Sequence, residues 1–180
     1  MNKLALALAS SVLALCVPLS PAAATIETVE AKSAALEAAD QARADMMDVF
    51  GDKQLRPGQY VWRDGIEGEP RVIISLSDQM AYLYRGDRLA AVATVSTGTD
   101  KNPTPTGIFP ILAKKTMHHS RKYDNAPMPH MQRLDKWGIA LHAGHNPGRP
   151  ASHGCIRLPA KFAAKLFGVT EIGSTVFIAA

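Results

Sequence analysis

The chain has 180 residues, enough for one domain. Hydrophobic residues make up 47% and charged residues 20%, an ordinary globular balance that excludes a disordered or collagen-like chain. The formal net charge is only +4 and aromatics are 6%, with no dense basic stripe, which argues against a dedicated nucleic-acid module.

Met1-Asn2-Lys3 is a short basic start, followed by an apolar stretch from Leu4 to Val17. Pro18 and Pro21 break it, and Ala22-Ala23-Ala24 supplies the small residues a signal peptidase reads. This layout predicts a secretory signal peptide over residues 1–24 and an exported protein, periplasmic or in the cell wall. The run is too short to span a bilayer comfortably, and no other stretch approaches about 18 apolar residues, so no stable membrane anchor is expected. Leu15 stands where a lipidation site wants a small residue, which argues against a lipid on Cys16. Cleavage would remove Lys3 and Cys16, lowering the charge to +3 and leaving Cys155 as the sole cysteine. Such a thiol is either a buried, inert small hydrophobe or a group kept for its chemistry.

Residues 25–54 predict a helical arm and linker. The segment is rich in Ala and Glu and lacks Gly and Pro up to Gly51, where the helix should end. Leu36, Met46, Met47, Val49 and Phe50 give it a thin apolar stripe, which implies loose packing. Residues 55–60 turn into the domain proper, 55–180. Strand signals bounded by turn residues then recur at 71–76, 80–84, 89–96, 107–112, 138–142 and 174–178. Pro110 marks an edge or a bulge. Residues 113–137 read as a long polar loop with His118, His119, Tyr123 and His130. Met128, Met131 and Trp137 would let that loop grip a ligand as a lid, the alternative being a surface excursion. One helix fits 159–167, with Phe162 and Leu166 at i,i+4 and Gly168 as its stop. The expected fold is mostly β, an antiparallel, sheet-rich sandwich with one or two short helices behind the N-terminal arm.

Residues 141–158 read LHAGHNPGRPASHGCIRL and concentrate the chemistry. A thiol nucleophile needs a base or cation, oxyanion donors and a fixed approach. His142 and His153 can supply the first. Gly154 allows a substrate carbonyl close to main-chain N–H groups, and Arg157, two residues past Cys155, shares its strand face. The blander alternatives are a strand-end histidine bonded to a carbonyl, a solvated arginine, and zinc ligation by His142, His145, His153 and Cys155. The last lacks any of the usual CxxC or HxxxH spacings, so no metal and no cofactor are expected.

Ser152-His153-Gly154-Cys155-Ile156-Arg157-Leu158 resembles the active-site signature of the L,D-transpeptidases, the YkuD-type peptidoglycan-processing cysteine enzymes. Ile139-Ala140-Leu141-His142-Ala143-Gly144 is similar to that family's strand carrying the partner histidine. Ser96-Thr97-Gly98 and Thr104-Pro105-Thr106-Gly107-Ile108-Phe109 match its strand-and-turn pattern, and the resemblance spans residues 72–179. It implies Cys155 as nucleophile and His142 as proton donor and acceptor. Ser152, His153 and Gly154 would shape the turn and oxyanion site, and Arg157 would meet substrate. Two departures are visible: the connection 143–151 is short for the family, and Arg157 stands where many members carry Asn. The implied reaction is acyl transfer on peptidoglycan stem peptides through a Cys thioester, with release of D-alanine. The acceptor would be a second stem peptide, an envelope protein or water. A sortase-like enzyme shares the His, Cys, Arg order but not the Ser-His-Gly before the cysteine, and a silent wall-binding module would have no need of both Cys155 and His142.

Overall fold

Thr28 opens the first helix by accepting the Ala31 N–H on its hydroxyl at 3.2 Å, and Gly51 closes it by donating its N–H to the Met47 carbonyl. The computed structural model describes residues 26–180, so the signal-peptide segment lies outside the described residues. The elements in chain order are α1 (Val29–Phe50), β1 (Tyr60–Trp62), β2 (Pro70–Ser75), β3 (Met80–Arg85), β4 (Arg88–Thr94) and β5 (Gly107–Pro110). There follow β6 (Ala113–His119), β7 (Pro127–Arg133), β8 (Ala140–Ala143), β9 (Ile156–Leu158), α2 (Ala160–Val169) and β10 (Thr175–Ala179). No helix among the described residues is long and apolar enough to cross a membrane.

Two sheets form, one in the order β1-β4-β3-β2-β10-β5 and the other β6-β7-β8-β9. Most neighbours are antiparallel, but β10 joins β2 in parallel and β9 joins β8 in parallel. The last strand therefore inserts between β2 and β5, and β5, with Pro110, is left at the edge of the large sheet. Val72 and Ile74, Ala81 and Leu83, and Val176 and Ile178 point from the large sheet into the main core. There they meet Leu141, Ile156 and Leu158 of the small sheet and Phe162 and Leu166 of α2. Ile73, Tyr82, Tyr84 and Val92 point the other way, and α1 covers them. That second cover explains why β2 is apolar at consecutive positions instead of alternating.

The arm packs closely, contrary to the expectation from its large apolar residues. Its seam is Ala31, Ala35, Ala39 and Ala42, all buried, whereas Leu36, Met47 and Val49 are exposed. These alanines recur at helical spacing, and their small Cβ groups let the helix lie close to the sheet. Hydropathy weighs side-chain size, so such a seam is invisible to it. Arg43 bonds Asp78 and Tyr84 donates its hydroxyl proton to Asp45, tying the helix to the β2–β3 turn and to β3.

Residues 113–137 are likewise not a loop. They fold into the β6–β7 hairpin, with a short tip over 120–126. The polar alternation of β6 belongs to an edge strand, and Pro127 and Pro129 pair only with β6, because β8 meets β7 only at Gln132 and Arg133. At the tip Asp124 and Asn125 take φ values of 43° and 51°, a left-handed turn those two residues tolerate. Gly168 also fails as a stop: α2 runs through it to Val169 and is capped at Thr170.

Candidate active site

In the β8–β9 pair Leu141 faces Ile156, His142 faces Arg157 and Ala143 faces Leu158. Side chains alternate across a strand. Leu141, Ala143, Ile156 and Leu158 therefore enter the core, and Ala140, His142, Cys155 and Arg157 share the opposite face. Cys155 immediately precedes β9, which makes it a diagonal neighbour of His142 across adjacent strands. Met128 and Met131 of the hairpin bury against Ala140 with Cys155 packed on them. The hairpin is thus a wall of the site.

His142 is 8% exposed, and its Nδ1 lies 2.8 Å from the Ala143 carbonyl. A carbonyl only accepts, so Nδ1 carries the hydrogen and the neutral ring keeps its lone pair at Nε2. Burial lowers the pKa of His142, the Ala143 bond partly offsets this, and the charge of Arg157 lowers it further. The thiol of Cys155 moves the opposite way. Burial raises its pKa, the Ala140 N–H pulls it back, Asp135 raises it again and Arg157 lowers it. Both shifts favour the uncharged forms, so the resting pair is a neutral thiol beside a neutral imidazole. The sulfur lies 3.5 Å from the Gly138 carbonyl, within reach for a weak S–H donation.

The turn before Cys155 is built by Ser152 and glycine. The Ser152 hydroxyl accepts the Gly154 N–H at 3.0 Å and donates to the Cys155 carbonyl at 2.5 Å. Gly154 sits at φ 112°, where an L side chain is strained, and an added Cβ would come within 2.7 Å of Ile139 Cδ1. Its N–H is thus already taken by Ser152, while the Cys155 N–H has no acceptor among the described residues.

Residues 96–98, whose Ser-Thr-Gly carries part of the family resemblance, cradle this turn. The Thr97 carbonyl accepts from Ala151 and Ser152 at 2.9 and 3.0 Å, and Ser96 exchanges backbone bonds with Arg157. Buried Gln79 accepts the Thr97 N–H and donates to its hydroxyl. Thr104 donates its hydroxyl to the Gly154 carbonyl at 2.8 Å and accepts the Gly98 N–H. An added Cβ on Gly98 would lie 2.2 Å from the Asn102 carbonyl oxygen, 2.7 Å from Thr104 N and 2.9 Å from Gly154 Cα. All three are backbone atoms and cannot swing away. Gly98→Ala is therefore expected to cost about 1–3 kcal/mol by overpacking, read as a lowered midpoint in thermal unfolding.

His153 is exposed and stacks on Tyr123 of the hairpin tip, ring centres 4.3 Å apart and planes 19° apart. Arg157 lays its aliphatic stem against Gly144, and its guanidinium has no hydrogen bond or ion pair among the described residues. His142, His145, His153 and Cys155 do not converge into a metal-holding group among the described residues. Asp135 was missed altogether, although Asp-Lys-Trp-Gly is a local turn signal. It is buried, and one carboxylate oxygen accepts the N–H groups of Trp137, Gly138 and Ile139.

A two-sheet domain with a cysteine and a histidine on one face of adjacent parallel strands defines the class of protein. Residues 69–178 match the family model of the L,D-transpeptidase catalytic domain, YkuD, and the chain belongs to that family. It is 26% identical over 162 residues to an L,D-transpeptidase YkuD of Bacillus licheniformis, covering 84% of this chain and 93% of the relative. Among solved structures, an L,D-transpeptidase from Mycobacterium smegmatis superposes with a TM-score of 0.58 at 22% identity, over 62% of this chain and 59% of that one. One from Stackebrandtia nassauensis also gives 0.58 at 22% identity, over 74% and 64%. The chain thus spans less than two thirds of these two structures, and the likeness to them is one of fold.

Proposed function

We propose that this protein is a cysteine L,D-transpeptidase acting on peptidoglycan stem peptides. The observation that carries the proposal is the β8–β9 register, which sets His142 and Cys155 on one face, with the His142 Nδ1–H committed to Ala143. Nε2 is then the free base. It takes the S–H proton as the sulfur attacks the carbonyl of the third stem residue. The Cys155 N–H meets the developing oxyanion. As the C–N bond breaks, His142 returns the proton to the leaving nitrogen, D-alanine departs and a thioester remains. An incoming amine then loses its proton to Nε2 and attacks the thioester carbonyl. The sulfur leaves with that proton, and a cross-link forms. The acceptor amine belongs to a second stem peptide or an envelope protein. Water in its place gives carboxypeptidase activity. The free guanidinium of Arg157 is suited to a substrate carboxylate.

The test is incubation with a defined stem tetrapeptide, with and without an amine acceptor, followed by mass analysis. Release of one D-alanine and, with acceptor, formation of the cross-linked product are expected. Both should survive EDTA, because a thiol and an imidazole need no ion for this proton transfer. Activity lost to EDTA and restored by zinc would overturn the cysteine mechanism, and no D-alanine release from any stem tetrapeptide would favour a wall-binding module. The proposed site of action is outside the cytoplasmic membrane, supported by the basic start, apolar run and Ala-Ala-Ala of residues 1–24. A secreted chain whose first residue on N-terminal sequencing is Thr25 would agree, and one retaining Met1 would not.

A further inference from the structure

Asp135 lies between β7 and β8, where the chain must reverse before entering the strand of His142. Its Oδ1 accepts three backbone N–H groups, from Trp137 at 2.9 Å, Gly138 at 2.7 Å and Ile139 at 2.8 Å. The Leu134 N–H donates to the Ile139 carbonyl at 2.8 Å and completes the turn. Little else holds it. Lys136, Trp137 and Gly138 are exposed, Trp137 at 81%, and no atom would meet a Cβ on Gly138 within 4 Å. Yet this turn presents the carbonyl that lies 3.5 Å from the Cys155 sulfur. The buried carboxylate thus acts on the nucleophile through one peptide group.

We infer that Asp135 is a positioning residue for Cys155, fixing through the 136–138 turn the Gly138 carbonyl that receives the S–H and orients the resting sulfur. The charges acting on the sulfur are those of Asp135 and Arg157, and His142 shares its face across the β8–β9 pair. Burial is the main cause of the upward shift of Cys155, and the negative charge of Asp135 adds to it by opposing a thiolate. Asp135 therefore has two separable effects, one through the shape of the turn and one through its charge. The assignment rests on Cys155 being the nucleophile of the proposed acyl transfer, but its first readout needs no substrate.

Asp135→Asn keeps an oxygen that can accept all three N–H groups and removes the charge, whereas Asp135→Ala removes both. In the full chain, iodoacetamide labelling of Cys155 is followed across pH by peptide-resolved mass spectrometry, alongside the melting temperature. The labelling midpoint of Asp135→Asn is expected to move to lower pH than wild type, with a melting temperature near wild type. In a second arm a carbapenem acylates each protein. Asp135→Ala should acylate more slowly by about 10²-fold, the scale of a loss of alignment at a reacting group, and Asp135→Asn should recover most of that loss. Identical labelling profiles for Asp135→Asn and Asp135→Ala, or wild-type acylation by a folded Asp135→Ala, would overturn the inference. Failure of the wild type to acylate would instead count against the transpeptidase reading, and the labelling result would still decide the role of Asp135.

Discussion

Cys155→Ala will release no D-alanine from a stem tetrapeptide and gain no mass from a carbapenem. The wild type will do both, with the adduct confined to the peptide carrying Cys155. A β-lactam presents a strained amide carbonyl to the nucleophile, so opening its ring imitates the first half of the proposed reaction. The imidazole and the Cys155 N–H remain in the variant, but no atom is left to form the acyl bond. Removing the nucleophile of an acyl transferase lowers turnover by a factor on the order of 10⁶. Folding should be little disturbed, because the site is bounded by Met128, Met131 and Ala140 and only one sulfur is removed. Penicillins are expected to acylate the wild type poorly. Intact-mass spectra decide the matter: an adduct persisting in Cys155→Ala, or none on the wild type, would refute the assignment of the nucleophile.

His142→Asn will keep the fold and lose most acylation, by about 10²–10⁴-fold, the usual scale for a general acid–base group. An Asn amide can still donate toward the Ala143 carbonyl, so the loss reports the missing Nε2. The pH profile sharpens the expectation. The neutral imidazole is the active base, and burial holds its pKa below the ordinary value. Wild-type acylation should therefore hold through neutral pH and fall only below the ordinary histidine range near about 6.5. Without that base, attack must wait for the thiolate, whose pKa is raised by burial, so the rate of His142→Asn should climb with pH on the alkaline side. His153→Asn is expected to act differently. It loses the stack on Tyr123 and with it the contact between the nucleophile's turn and the hairpin tip, lowering binding or melting temperature together with rate. Near-wild-type acylation by His142→Asn, beside a folded but inactive His153→Asn, would move the base to His153.

Much of the framework was legible because it rests on short-range rules. β2, β3, β4, β5, β8 and β10 announce themselves as apolar runs between turn residues, and α2 by the spacing of Phe162 and Leu166. The hairpin of β6 and β7 was hidden because an edge strand can be polar and because two prolines argue against pairing. Only the one-sided pairing of β7 at those prolines removes the objection. Within it, Tyr123-Asp124-Asn125 carried a turn signal that the length of the polar stretch obscured. Gln79 was illegible for another reason: it acts by hydrogen bonds to Thr97, which only the fold brings near, whereas the local turn of Asp135 carried a signal that went unread.

The sequence alone determined the chemistry available to this protein: a cysteine in Ser-His-Gly-Cys, a histidine at the end of an apolar strand, and an arginine two residues beyond the cysteine. Those are covalent facts about residue type and spacing, and they sufficed to point to the family. The tertiary structure decided how that chemistry is held. The parallel pairing of β8 with β9 selects His142 as the diagonal neighbour of Cys155, and the stack on Tyr123 turns His153 toward the hairpin. Burial shifts both His142 and Cys155 toward their uncharged forms, and the Asp135 turn brings the Gly138 carbonyl to the thiol. Protonation and alignment depend on which distant groups share a dry space. Gln79 and Thr97 reach the Ser152 turn, and the Gly138 carbonyl reaches the Cys155 sulfur, only once the chain has folded.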